Sequence, residues 1–283
     1  MNFASCAHSH TTYCDGKSTP EEMLAAAREL GFVSLGFSGH AYQAFDPDYS
    51  MSLETQQQYK THLRQLQRQC FDTKGSPRIW VGLEEDGLAP HGQRMRNRQD
   101  FDYIVVSTHY LTTDFEGEPV YVDGLPDRLR RYVDKVLDGD MLAMVRMYYD
   151  LHVAALLSAR ADIIGHFDLV RIFARSRNLF DETSKEYRNL ALDALERVFP
   201  CGGVLEINTG AMARGKMDNP YPTKELLGAW HEMGGNITIT SDCHNAAFLD
   251  HAYAAAIALA KESGFTTALR LGTGRQLFDE ITL

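Results

Sequence analysis

The chain has 283 residues, of which 44% are hydrophobic and 23% are charged, which is ordinary for a globular protein. That length fits one large α/β barrel or two medium-sized domains. The net charge of −10 argues against a nucleic-acid partner, because phosphates would be repelled unless a strong basic patch were present, and the sequence has none. No apolar run approaches the roughly 18 residues of a membrane span, so we expect no membrane partner.

Two further features indicate the compartment. The first ten residues lack the basic and apolar regions of a secretory signal, which predicts a cytoplasmic protein. The five cysteines include no C-x-x-C pair, which argues against a disulfide framework and a structural zinc site. We expect each cysteine to be a buried or near-site thiol in a reducing environment.

Short apolar segments alternate with helical patterns along the chain. Strands are predicted at 2–8, 33–38, 78–83, 102–108, 161–166, 203–208 and 236–241. Helices are predicted at 18–31, 52–71, 139–160, 184–199, 223–234 and 246–264. This alternation without a linker predicts one domain over 1–283, with parallel strands in a closed or nearly closed barrel; a doubly wound open sheet is the alternative. The tail, 266–283, reads as two short strands that we do not place in the barrel.

The histidines are distributed unevenly. Six of the eleven lie at or just beyond the C-terminal end of a predicted strand: His8, His10, His40, His109, His166 and His244. Acidic residues lie at similar positions, namely Glu84, Glu206 and Asp242. The other five, which are His62, His91, His152, His231 and His251, show no such relation and are interpreted as surface or packing residues. Because the βα loops of a parallel barrel converge at that end, the pattern predicts a metal site there.

The ligand types limit the metal and the chemistry. Imidazole and carboxylate groups suit Zn, Mn or Fe. About nine such groups exceed what one cation coordinates, so two or three divalent metal ions are expected. Metals about 3.5–4 Å apart can hold a bridging hydroxide that attacks phosphorus in line with the leaving group. We therefore expect a metal-dependent phosphomonoesterase that acts on a small-molecule phosphate ester.

Six motifs together resemble those of the polymerase-and-histidinol-phosphatase (PHP) superfamily. They are "HSHTTYCDG", "FSGH", "GLEED", "STHY", "GHFD" and "SDCH", and they occur in family order. The "CDG" form and the stretch "EINTGAMARG" are similar to the histidinol-phosphate phosphatase branch. The resemblance implies a distorted (β/α)7 barrel, TIM-barrel-like, with a trinuclear metal site at the C-terminal ends of the strands.

The resemblance also implies how the ligands divide among three metals. One metal is held by His8, His10, Glu84 and Asp242. A second is held by Glu84, His109 and His166, with Glu84 bridging, and a third by Asp15, His40 and His244. Ser9 replaces the more usual threonine between the first two histidines, and we expect its side chain to point away from the metals.

Arg171 and Arg214 are the predicted phosphate-binding residues. A guanidinium matches the geometry of a phosphate group, and the resemblance points to the same pair. The alternative for each is an arginine that pairs with a nearby acid. The leaving alcohol is expected to take its proton from Asp15, Asp242 or a metal-bound water, and the sequence does not choose among them. Asn208 is interpreted either as orienting a substrate or ligand, or as structural.

The substrate implied by the branch is histidinol phosphate, hydrolysed to histidinol and phosphate in histidine biosynthesis. Alternatives are another phosphomonoester such as a phosphotyrosine peptide or nucleotide, a nuclease, or a non-catalytic metal-binding module. Asp46, Asp48 and Glu85 are the acidic candidates for contacting the imidazole and amine of histidinol. The sequence does not predict the oligomeric state.

Overall fold

The computed structural model describes residues 3–283, so Asn2, the first residue of the first predicted strand, lies outside the described residues. The strands are β1 Ser5–Cys6, β2 Ser34–Phe37, β3 Arg78–Asp86, β4 Tyr103–Ser107, β5 Tyr110–Phe115, β6 Glu118–Tyr121, β7 Ile163–Ile164, β8 Val204–Asn208, β9 Ile237–Thr240, β10 Thr267–Leu271 and β11 Phe278–Thr282. The helices are α1 Pro20–Glu29, α2 Leu53–Phe71, α3 His91–Asp100, α4 Pro126–Val136, α5 Met141–Ala159, α6 Lys185–Val198, α7 Gly210–Ala213, α8 Lys224–Glu232 and α9 Tyr253–Glu262.

Seven of the strands form one parallel sheet in the order β1-β2-β3-β4-β7-β8-β9. A parallel bridge between Ser9 and Cys243 joins its first and last strands. In that bridge the His10 amide donates to the Cys243 carbonyl oxygen at 2.9 Å. The sheet is therefore a nearly closed barrel, and the predicted distorted (β/α)7, TIM-barrel-like fold is confirmed, whereas the open-sheet alternative is wrong.

The helices follow the predicted capping signals. Thr19 caps α1 and forms a reciprocal capping box with Glu22, and Pro20 occupies the first turn. The segment predicted as one helix at 246–264 is divided, because Ala252 has a left-handed backbone (φ 57°) and α9 begins only at Tyr253. Within residues 3–283, no helix is long and apolar enough to cross a membrane.

Several elements of the crossovers were not predicted, among them α3, α7 and the β5–β6 hairpin. The α3 helix has no apolar stripe, since the residues that it buries are the polar Gln93, Arg94 and Asn97. The antiparallel β5–β6 hairpin follows β4 directly and precedes α4. The hairpin brings Tyr110 and Tyr121 next to Tyr49 at the rim of the barrel.

The C-terminal tail forms the antiparallel hairpin β10–β11, which confirms the two predicted strands. Leu271 packs into a buried cluster with Trp80 and Tyr103, and the Trp80 Nε1 donates to the Gly272 carbonyl at 2.8 Å. A Cβ atom on Gly82 would lie 2.3 Å from the Tyr103 ring, so this glycine makes room for the tyrosine inside the barrel. The tail thus closes the N-terminal end of the barrel.

Candidate metal centre

The C-terminal ends of the strands bring all nine predicted ligands into one cluster. Glu84, near the end of β3, lies at its centre and is buried. Its carboxylate oxygens lie near ring nitrogens of five histidines: His8 at 3.3 Å, His10 at 3.5 Å, His40 at 2.8 Å, His109 at 3.8 Å and His166 at 3.3 Å. Because these five histidines follow four different strands (β1, β2, β4 and β7), only closure of the barrel assembles this cluster.

Asp242, just beyond β9, forms a second centre. Its Oδ1 lies 3.2 Å from His10 Nε2 and 3.7 Å from both His8 Nε2 and His244 Nδ1. The residue has a left-handed backbone with φ 45°, which is uncommon for any residue other than glycine, although aspartate tolerates it better than most. Gly210 accommodates it, since a Cβ there would lie 2.7 Å from Asp242 Oδ2. Strain held in place by close packing is typical of a functional position.

Asp15 lies at the outer edge of the cluster. Its Oδ2 is 3.0 Å from His244 Nε2, and its Oδ1 is 3.6 Å from both His10 Nδ1 and His40 Nε2. Its side chain is 26% exposed, against 6% for Asp242. Asp15 is therefore the carboxylate at the solvent side of the site.

The donor atoms fit metal ions. Three groups have ligand atoms within 4.8 Å of one another: His10 with Asp15, His40 and His244; His8 with His10 and Asp242; and His40 with Glu84 and His109. Among residues 3–283, the following buried atoms have no hydrogen-bond partner: His8 Nε2, His10 Nε2, His40 Nε2, Asp15 Oδ1 and both Glu84 carboxylate oxygens. Buried polar atoms are rarely left without partners, and divalent cations would satisfy this set. His10 and His40 each belong to two groups, so the groups do not reproduce the implied division among three metals.

Two of the central ligands are in the protonation states that bind metals. Burial, together with the neighbouring His244 and His40, lowers the pKa of His10 to about 3, so the ring is neutral at pH 7. Burial would raise the pKa of Glu84, but the surrounding histidines lower it well below the usual value. A neutral imidazole and an ionised carboxylate are the forms required of metal ligands.

Two carboxylates, those of Glu206 and Asp86, contact ligand histidines without belonging to the ligand set. Glu206 Oε2 lies 2.9 Å from His8 Nδ1, and Glu206 Oε1 accepts from the His166 amide at 2.6 Å. Asp86 Oδ2 accepts from the His109 amide at 2.8 Å and lies 3.3 Å from His109 Nδ1. Such contacts fix the ring orientation of a ligating histidine. Sequence reasoning counted Glu206 only as a strand-end acid and missed Asp86, although its position two residues after Glu84 in β3 places both on one face.

Asn208 also belongs to this outer layer. Its Nδ2 donates to Glu206 Oε1 at 2.8 Å, and its Oδ1 accepts from the Gly210 amide at 2.8 Å. Both ends of the amide are thus engaged by the protein, which agrees with the structural interpretation of this residue.

The two predicted phosphate-binding arginines lie in different surroundings. Arg214 follows α7, is one-third exposed (33%), and its Nη2 lies 3.1 Å from Asp242 Oδ2. Arg171 is buried, with its Nε 2.9 Å from Asp168 Oδ2 and its guanidinium 5.0 Å from the centre of the Tyr221 ring. Arg214 therefore contacts the ligand cluster directly, whereas Arg171 forms an ion pair with a buried acid.

The three acidic candidates for substrate contact, Asp46, Asp48 and Glu85, differ in burial and in their hydrogen bonds. Asp46 is buried and accepts hydrogen bonds from the Tyr110 and Tyr121 hydroxyls. Glu85 is buried and accepts from Asn97 Nδ2 at 2.6 Å. Asp48 is exposed in the loop before α2. Protein donors thus engage the Asp46 carboxylate and Glu85 Oε1, while Glu85 Oε2 is buried 3.7 Å from Arg94 Nε.

None of the five remaining histidines forms an ion pair with Glu84, Asp242 or Asp15, although His152 lies beside the cluster, where burial and then His166 and His109 lower its pKa to about 3. His152, in α5, is buried with its Nδ1 3.1 Å from Thr108 Oγ1, as expected for a packing residue. His62 pairs with Glu21 at the surface. All five cysteines are free, in agreement with the prediction that they form no disulfide framework.

The fold and the cluster define a class of protein, a β/α barrel with a histidine- and carboxylate-rich metal centre at its C-terminal end. The PHP domain family model matches residues 7–210, so the chain belongs to the PHP domain family. A relative from Deinococcus radiodurans named "Probable histidinol-phosphatase" is 27% identical over 266 residues, covering 92% of this chain and 94% of the relative.

Solved structures share the fold. A candidate histidinol phosphatase from Listeria monocytogenes aligns with a TM-score of 0.71 at 17% identity, covering 89% of this chain and 99% of that one. Histidinol phosphate phosphatase from Lactococcus lactis, complexed with Zn, L-histidinol and phosphate, aligns with a TM-score of 0.65 at 22% identity, covering 95% and 97%. The barrel architecture is therefore shared along almost the whole length of each chain.

Proposed function

We propose that this protein is a metal-dependent phosphomonoesterase that hydrolyses histidinol phosphate to histidinol and phosphate. The observation that carries the proposal is the cluster of histidines around Glu84 and Asp242, in which buried donor atoms have no partner among residues 3–283. The name of the Deinococcus relative and the ligands of the Lactococcus enzyme support the choice of substrate.

The cluster would hold two or three divalent ions, Zn, Mn or Fe. The proposed ligands are those already named: His8, His10, Asp15, His40, Glu84, His109, His166, Asp242 and His244. When bound, such ions supply an activated water and neutralise the charge of a phosphate group. Glu84 is the proposed bridging ligand, because its two oxygens face different histidines.

The arginines would bind the phosphoryl oxygens and stabilise the charge that develops on them. Arg214 is the better supported of the two, since it contacts Asp242 and is partly exposed to an incoming substrate. Arg171 remains a proposed partner, although its guanidinium is engaged by Asp168 and by the Pro220 carbonyl. We expect Arg171 to act mainly by supporting Tyr221 and the site wall.

The departing alkoxide needs a proton, for which Asp15, Asp242 and a metal-bound water are the candidates. Although burial acts to raise it, neighbouring histidines, and Arg214 beside Asp242, hold the pKa of both carboxyls well below the usual value, so either aspartate would first have to take the proton released by the attacking water. Asp15 is the more exposed carboxylate and lies on the solvent side of the cluster. A departing alcohol would therefore meet Asp15 before Asp242.

We also propose that the chain forms one domain over residues 1–283 and that the protein is cytoplasmic. The acidic net charge supports the absence of a nucleic-acid partner.

The test is kinetic. Metal-stripped protein is reconstituted separately with Zn, Mn and Fe, and kcat/KM is measured for histidinol phosphate, a phosphotyrosine peptide and a nucleoside monophosphate. We expect histidinol phosphate to be preferred by at least one metal form. A preference for another ester would reassign the substrate, and no turnover of any ester by metal-loaded protein would support a non-catalytic metal-binding module.

A further inference from the structure

A cavity of about 430 Å³ lies beside the metal cluster. Its wall includes Tyr49, Tyr121, Asp123, Leu125 and Lys216. Tyr49 connects it to the cluster, because its ring centre lies 4.0 Å from that of His40 and 5.7 Å from that of His109. A group attached to a phosphate at the metals could therefore extend into this cavity without crossing the barrel.

Ring contacts and hydrogen bonds hold the aromatic wall of the cavity, Tyr49 and Tyr121, in place. The Tyr49 and Tyr121 rings meet edge to face, with centres 6.2 Å apart. The Tyr121 hydroxyl donates to the buried carboxylate of Asp46, which also accepts from Tyr110. Because these contacts restrain the tyrosines, the cavity offers a fixed aromatic surface against which a planar ring can pack.

Asp123 is one of four charged residues in the cavity wall; the others are Glu118, Arg128 and Lys216. Asp123 is half-buried, and none of residues 3–283 forms a hydrogen bond or ion pair with its carboxylate; Lys216 reaches only its backbone carbonyl, at 3.4 Å. No arginine, lysine or histidine of residues 3–283 forms an ion pair with Asp123, so an ammonium group of a ligand could do so.

We propose that this cavity is a leaving-group pocket, in which Asp123 pairs with an ammonium group of the alcohol while Tyr49 and Tyr121 pack against its planar ring. The ligand class is a small alcohol that carries a primary amine and a flat heteroaromatic ring. The proposal rests on the proposed function, because it assigns the recognition of the alcohol half of that substrate. It moves the recognition of the amine from Asp46 and Glu85, which protein donors already engage, to Asp123.

The test compares Asp123→Asn with the wild-type protein, both loaded with the same metal. The substrates are histidinol phosphate and p-nitrophenyl phosphate, which has no cation. A charge-assisted hydrogen bond of about 1.5–3 kcal/mol corresponds to a loss of roughly 10- to 150-fold, so we expect kcat/KM for histidinol phosphate to fall within that range. For p-nitrophenyl phosphate we expect a change of less than about threefold, since the metal cluster is intact.

Asp127→Asn is the matched control, because Asp127 is an exposed acid at the start of α4 that does not line the cavity. It should leave both substrates unchanged. Inhibition of p-nitrophenyl phosphate hydrolysis by histidinol tests the pocket separately, with an inhibition constant that should rise in Asp123→Asn by the same factor. An equal loss on both substrates, or an unchanged inhibition constant, would overturn the pocket. A wild-type protein that does not hydrolyse histidinol phosphate would instead refute the proposed function, whatever the inhibition constants show.

Discussion

At the carboxyl ends of the barrel strands, buried imidazoles and carboxylates face one another, whereas at the amino ends the interior is filled by Leu271, Trp80 and Tyr103. The first region leaves polar atoms without partners among residues 3–283. The second is apolar, and the polar atoms of its aromatic side chains are paired: the Trp80 indole donates to the Gly272 carbonyl and the Tyr103 hydroxyl to the Ala7 carbonyl. One sheet therefore carries a polar region that lowers the stability of the fold and an apolar region that raises it.

The difference has a physical cost. A buried polar atom without a partner destabilises the fold by about 1–3 kcal/mol, and a left-handed aspartate such as Asp242 adds a similar amount. Close packing at the amino end offsets part of this cost. Substitutions at the carboxyl end should therefore change activity and metal binding, and substitutions at the amino end should change stability.

The largest effect on activity is expected for Glu84→Gln. The change removes the charge that faces five histidines, so kcat/KM should fall by more than about 100-fold, beyond the effect of losing an outer-layer partner. Bound metal, measured by elemental analysis, should fall with it. A variant with normal metal content and normal turnover would show that Glu84 is not the central ligand.

Arg214 and Arg171 both lie at the carboxyl end of the barrel, but we expect their substitution to have different effects. Arg214→Ala should lower kcat/KM by about 10²–10³-fold with unchanged metal content, as for the loss of one donor to a developing negative charge. Arg171→Ala should instead destabilise the fold by about 3–5 kcal/mol, because it leaves the buried Asp168 without a cationic partner. Kinetic assays measure the loss of turnover, and denaturant unfolding measures the loss of stability. If Arg171→Ala lost turnover and Arg214→Ala lost stability, the roles of the two residues would be exchanged.

The Glu206→Gln variant tests whether Glu206 orients His8 without binding a metal itself. Loss of the carboxylate beside His8 should weaken metal affinity by about 10–100-fold, measured by competition with a chelator. Excess metal should restore most of the turnover, which separates this variant from one that has lost a ligand. Glu196→Gln, at an exposed acid of α6, is the control and should bind metal normally.

The smallest effect on activity is expected for Leu271→Ala, at the opposite end of the barrel. Its buried side chain contributes to the cluster with Trp80, and its removal should cost about 2–5 kcal/mol in denaturant unfolding. For the folded protein, kcat/KM should stay within about twofold of the wild-type value, since the cavity forms far from the metals. A large loss of turnover at full folding would mean that the two ends are coupled.

Much of the architecture could be predicted because its signals are local. Apolar strands, the capping box at Thr19 and the glycines that end helices each act within a few residues. The α3 helix escaped prediction because it buries polar side chains that bond to neighbouring loops, so it lacks the apolar period. The split before α9 depends on the left-handed backbone of Ala252, for which the sequence carries no signal.

For the site, the sequence by itself determined which side chains lie at strand ends, because parallel strands present their carboxyl ends at one edge. Only the tertiary structure decided that Glu84 is central, that Glu206 and Asp86 contact ligands from behind, and that Asp123 faces a cavity. It also separated Arg214 from Arg171, which look alike in sequence. The physical reason is that strand periodicity sets which way a residue points, whereas distances between strands are set by the closure and packing of the barrel.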